Sequence, residues 1–146
     1  MEPDRRDRLV LRLADIPPVP RGTGVLTYPL VGSWNADGDG VTSGITEFAP
    51  GVAIPLHVHN VDEVVLVLAG TATVQVGDDV RDLSPGDATW VAAGVPHRLL
   101  NRGTGPMRFH WVYSAREVTR TICATGETVA HLSAADRFTS RGQAHG

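Results

Sequence analysis

Between residues 25 and 113 the chain is written in short runs of Val, Ile, Leu and Thr separated by clusters of turn residues. The runs cover residues 25–31, 41–48, 54–59, 63–68, 71–76, 88–91, 97–101 and 107–113, and Pro, Gly, Asn and Asp crowd the gaps between them. Strands this short and this evenly spaced predict an antiparallel sandwich or barrel. No helical period shows before residue 114. Residues 63–68 are apolar at odd and even positions alike, which predicts a strand covered on both faces, inside a sandwich or under a subunit interface. Residues 1–24 are charged and then Pro-rich (Ile16-Pro17-Pro18-Val19-Pro20) and predict an arm, with a short strand at 9–13. After residue 113 the pattern predicts one more strand within 114–122, a short helical turn at 133–137 and a frayed end. The expected division is an arm at 1–24, a β-domain at 25–113 and a C-terminal extension at 114–146.

Composition narrows the function classes. The chain has 146 residues, 42% of them hydrophobic and 20% charged, which suits one ordinary globular domain. A net charge of −3 offers no general attraction for nucleic acid or an anionic membrane. There is no lysine, so Schiff-base and Walker A chemistry are excluded. The single cysteine, Cys123, excludes an intrachain disulfide framework and a zinc site built from cysteines. No apolar run reaches the roughly 18 residues of a membrane helix, and residues 1–12 lack a signal-peptide pattern, so a cytoplasmic protein is expected.

Three potential metal ligands stand close together: His57, His59 and Glu63. On a strand, residues two apart point to the same face about 6.6 Å from each other, so both imidazoles can converge on one ion. Asn60-Val61-Asp62 allows a turn, and Glu63 opens the most apolar strand of the chain. A carboxylate at the mouth of a buried strand needs a partner, and a cation would satisfy it. Two histidines and one carboxylate would leave coordination positions free for substrate or dioxygen. His97, at the start of a later strand, is the natural fourth ligand.

Residues 51–70 read Gly51-x5-His57-x-His59-x3-Glu63-x6-Gly70, and residues 86–101 read Gly86-x5-Ala92-Ala93-Gly94-x2-His97-x3-Asn101. The first stretch resembles the first conserved motif of the cupin superfamily position for position. The second resembles the second motif, with Ala92 where that family usually has proline, a departure that bears on the rigidity of a turn. Their short separation is similar to that of compact single-domain microbial cupins. The resemblance implies an all-β jelly roll, a double-stranded β-helix, with His57, His59, Glu63 and His97 as ligands of one divalent transition metal. Fe2+ is the first expectation, with Mn2+, Ni2+, Zn2+ and Cu2+ as alternatives, because imidazole and carboxylate donors suit all of them.

Beyond the ligands, His110 is a candidate proton carrier and Glu63 a second one. Met107, Phe109, Trp111 and Tyr113 share one strand face and are expected in the core; Arg108, His110 and Val112 share the other. Trp90 is expected to pack, and Asn101 to cap a turn. Glu47, Arg98, His131 and His145 are expected at the surface, as are Arg116 and Arg120, whose alternative is to clamp an anionic substrate across a dimer interface. The combined expectation is a metal-dependent enzyme acting on a small organic molecule, an Fe(II)-type dioxygenase first. A redox-neutral cyclase or isomerase is the second expectation and a non-catalytic binding module the third. A homodimer is expected, with no nucleic-acid or membrane partner.

Overall fold

Every second side chain from Met107 to Tyr113 is buried and those between are half-buried, which is how a strand looks when one face lies on a core. The same alternation runs through the two antiparallel sheets of this computed structural model, which describes residues 8–38 and 40–138. The strands are β1 (Val19–Pro20), β2 (Val25–Val31), β3 (Thr42–Phe48), β4 (His57–His59), β5 (Glu63–Ala69) and β6 (Ala72–Val76). They continue as β7 (Asp79–Leu83), β8 (Ala88–Val91), β9 (His97–Leu100), β10 (Met107–Tyr113), β11 (Thr119–Ile122) and β12 (Thr128–Ala130). One sheet runs β1-β2-β3-β10-β5-β8 and the other β12-β11-β4-β9-β6-β7. The arrangement is the jelly roll expected from the sequence. No helix among the described residues is long and apolar enough to cross a membrane.

The core lies between the sheets. Val65, Val67, Phe48, Phe109 and Trp111 come from one side and Val74 and Leu99 from the other. Phe48 and Phe109 meet edge to face at 5.4 Å, the geometry their ring quadrupoles favour. Gly44, the Cα partner of Trp111, leaves space for the indole: a Cβ there would come within 2.4 Å of the ring. The indole Nε1–H donates to Thr46 Oγ1 at 2.8 Å, which fixes the ring's tilt toward the cavity.

On β5, Val65 and Val67 are buried while Val64 is 44% exposed and its cross-strand neighbour Trp90 61%, so within this chain the cover is on one face, and the subunit interface is the alternative left open for the other. Two local expectations need correction. Residues 9–13 form no strand; a single 3-10 turn occupies Leu13–Asp15. β7 was not legible because Asp-Val-Arg-Asp-Leu has no apolar face. It is an edge strand whose ladder to β6 forms it, and its charges discourage further pairing. The hairpin closes through Gly77-Asp78, with Gly77 at φ 58°, the left-handed conformation that the first position of a type II′ turn requires.

Candidate metal centre

His57 and His59 project inward from β4 while Val58 is only half-buried between them. His57 is the antiparallel partner of His97 on β9, and facing residues of a ladder point the same way. The three rings are therefore brought together, with centroids 4.9 Å (His57–His59), 4.4 Å (His57–His97) and 5.2 Å (His59–His97) apart. One nitrogen from each lies within 4.8 Å of the others. Glu63 faces them from the opposite sheet, its Oε1 2.9 Å from His97 Nε2 and 4.0 Å from His59 Nε2. All four residues are buried.

The outer nitrogen of each ring is tied to the backbone. His57 Nδ1–H donates to the Pro55 carbonyl at 2.8 Å, His59 Nδ1–H to Thr119 at 3.0 Å and His97 Nδ1–H to Val95 at 2.9 Å. That pattern fixes the tautomer and leaves the Nε2 lone pairs facing inward, as metal-bound histidines are held. Three imidazole Nε2 atoms and one carboxylate, oriented before any ion arrives, fit a divalent transition metal, which would displace the proton between His97 Nε2 and Glu63 Oε1. The turns that carry the ligands are tied together. Asp62 accepts from Ala93 N–H at 2.9 Å, and Gly94 N–H donates to the His59 carbonyl at 2.9 Å. A turn bond from Val95 N–H to Ala92 O (3.2 Å) forms with alanine at position 92, so the site does not need a proline there. Asn101 caps backbone, donating to Phe48 O and Gly105 O.

Burial sets the protonation of the centre. It pushes His57 well below the usual imidazole range, helped by the neighbouring His97 and His59, and it lowers His59 despite the Glu63 charge. Burial also pulls on His97, but the bond and charge of Glu63 outweigh it and raise that pKa. His131 is pushed well down by burial and by Arg21. A base with a depressed folded pKa binds fewer protons than the unfolded chain, so its contribution to stability is present above pH about 6.5 and lost as pH falls. His97 has the opposite sign. Four depressed imidazoles, with His110 lowered by partial burial outside the centre, against one raised group predict that metal-free protein melts at lower temperature at pH 5.5 than at pH 7.5, and that His131→Phe flattens the slope. Thermal unfolding across that range checks this; a level profile in the wild type contradicts it.

The cavity beside the imidazoles has a volume of about 40 Å3, and Tyr113, His131, Arg21 and Arg120 line it together with apolar walls from Leu99, Phe109 and Trp111. The Tyr113 hydroxyl lies 3.3 Å from His59 Nε2, and burial followed by the Glu63 charge holds its proton far above the usual phenol range. His131 packs edge-on against Trp111 (4.9 Å) and Tyr113 (4.8 Å). It is therefore part of the cavity wall and not the surface residue the sequence suggested. Arg120 is buried opposite His59 on β11, also against expectation. Tyr113 was detectable, since it lies four residues beyond Phe109 on the inward face of β10. Arg21 and Asp136 carry no local signal, because the ion pair between them joins residues 115 apart in the chain.

The other candidates lie elsewhere. His110 is on the opposite face of β10 and takes no part in lining the cavity. Glu47 faces Arg108 at 3.8 Å, Arg98 Nε–H donates to Gln75, and Arg116 donates to the Gly38 carbonyl. His145 lies outside the described residues.

Residues 44–113 match the family model described as "Cupin domain". No curated protein matches the sequence significantly. Among solved structures, a polyketide cyclase of Streptomyces resistomycificus superposes with a TM-score of 0.67 at 17% identity, covering 88% of this chain and 89% of its own. A sugar phosphate isomerase of Silicibacter pomeroyi, described as from a cupin superfamily, gives 0.67 at 18% identity, covering 91% and 98%. An oxalate decarboxylase mutant of Bacillus subtilis gives 0.66 at 22% identity over 77% of this chain, which spans only 31% of the decarboxylase.

Proposed function

This chain is a small cupin-domain protein, and from that premise we propose that it is an enzyme in which His57, His59, Glu63 and His97 hold one divalent transition metal and act on a small organic molecule. The observation that carries this reading is the set of three Nδ1–H bonds to backbone carbonyls, which turns three Nε2 lone pairs toward one point. When bound, the ion would polarise a substrate oxygen or support chemistry with dioxygen. Glu63 closes the donor set and, through His97, holds a proton in the ion's absence. The apolar walls exclude water.

Two reaction classes follow. The first is the Fe(II)-type oxygenase, supported by the apolar wall of Leu99, Phe109 and Trp111. The second is redox-neutral, a cyclase or isomerase, and its specific support is Tyr113: a buried, protonated hydroxyl beside the ligands is a proton donor in place. Elemental analysis of freshly purified protein tests the metal, with oxygen uptake compared in iron- and zinc-loaded samples. About one equivalent of metal is expected; none in any preparation overturns the reading. Oxygen uptake with iron selects the first class, and anaerobic turnover with zinc the second.

The apolar strip of exposed Val64, Leu68, Ala88 and Trp90 with half-buried Leu66 among them, on β5 and β8, supports the further proposal of a homodimer, since monomers rarely leave such a surface open. Light scattering is expected to give a dimer for the wild type and a monomer for a Val64→Glu, Trp90→Glu double variant. A monomeric wild type refutes it.

A further inference from the structure

We propose that Arg120 anchors the carboxylate of a small anionic substrate beside the metal centre. The proposal rests on the reading of the four ligands given above and names the substrate class that site would take. Arg120 is paired with His59 across β11 and β4, so its side chain leaves the sheet on the same face as the ligand. Its side chain is 5% exposed and lines the cavity.

The guanidinium is held but not used up. Nη2 makes an ion contact with Asp136 Oδ1 at 2.6 Å, an oxygen that accepts no hydrogen bond among the described residues, and the Phe138 ring packs 4.1 Å from its central carbon. Nε and Nη1 are buried with no hydrogen-bond partner among the described residues. Arg21 differs. Its Nη2 donates to Asp136 Oδ2, its Nε to the Asp136 carbonyl at 3.1 Å and its Nη1 to Thr27 at 3.4 Å, so its fork is spent inside the protein. Two guanidinium groups against one aspartate leave a positive charge, since Glu63 is engaged with the imidazoles. Buried charged donors without partners are costly to maintain, and an anion is the ligand that satisfies both the charge and the N–H groups. The volume of about 40 Å3 accommodates roughly three water-sized groups, which restricts the anionic end to a carboxylate or a group of similar size.

The test follows the Nε resonance of Arg120 in metal-free and Zn2+-loaded protein while sodium formate, or formamide as its neutral isostere, is added. Formate is expected to shift the resonance saturably in both forms, and at least about tenfold more tightly than formamide. Formate that fails to bind, binds without moving the resonance, or is matched by formamide overturns the anchor. In Arg120→Lys, which keeps the charge on Asp136 but loses the Nε and Nη1 donors, the formate Kd is expected to rise roughly 10–100-fold, with zinc stoichiometry unchanged. Wild-type formate affinity in that variant overturns it. A protein that takes no zinc yet shows the formate shift keeps the anchor and loses the metal reading.

Discussion

Asp136→Ala is expected to cost the folded state about 3–5 kcal/mol, the penalty for breaking a buried ion pair by removing one partner. Asp136 is 1% exposed and sits between two buried guanidinium groups. It also accepts the Leu132 N–H at 2.8 Å, which holds the segment carrying His131 onto the barrel. Without the carboxylate, Arg21 and Arg120 face each other inside the protein with nothing to balance them. Asp136→Asn keeps an acceptor of the same shape and is expected to lose less. Urea unfolding followed by tryptophan fluorescence measures both variants, and Trp111, against which His131 packs, is a reporter placed at the site. A loss under about 1 kcal/mol in the alanine variant would show that the two arginines find other partners.

His57→Ala is expected to weaken metal binding by more than about 100-fold, because removing a direct ligand costs more than removing one of the outer hydrogen-bond partners, which already costs roughly 10–100-fold. The readout does not depend on activity. A metal present at about 100 times its Kd stabilises the folded state by about 2.7 kcal/mol, so the wild type should melt higher when Mn2+ or Zn2+ is added and the variant should not. The metal-free variant should fold, since His57 is neutral there and its bond is to the Pro55 carbonyl two residues away. A metal-induced rise in melting temperature that survives the substitution would separate His57 from the centre. Metal binding in the wild type should also weaken in acid, because protons compete for the same Nε2 lone pairs.

How much of this was readable in advance depended on distance along the chain. The pairing of His57 with His59 is a property of any strand, because side chains two apart share a face. The approach of His97 was legible from its motif. An antiparallel sandwich or barrel was legible from the spacing of the runs and their turn residues, and the jelly roll from the resemblance that the two motifs carry. Exposed strands such as β7 escaped notice because hydrophobic periodicity reports burial, and a strand with no buried face has none. The outer face of β5 reads as covered without naming its cover, because an apolar residue announces a need for burial without saying what supplies it. The misplacement of Arg120 and His131 has a different origin: a charged or polar side chain reads as surface until its counter-charge is known. That counter-charge, Asp136, meets Arg21 only when the last strands fold back over the first.

The sequence by itself determined the fold class and the convergence of two imidazoles on one strand face, since both follow from local periodicity and turn chemistry. Only the tertiary structure decided what surrounds them. The Nδ1–H bond of His59 to Thr119 joins separate strands, the Tyr113 hydroxyl enters from the other sheet, and the Arg21–Asp136–Arg120 cluster joins the two ends of the described chain. The physical reason is that hydrophobic alternation is short-ranged and repeated, whereas the partner of a buried charge is a single contact between distant residues that no local pattern encodes.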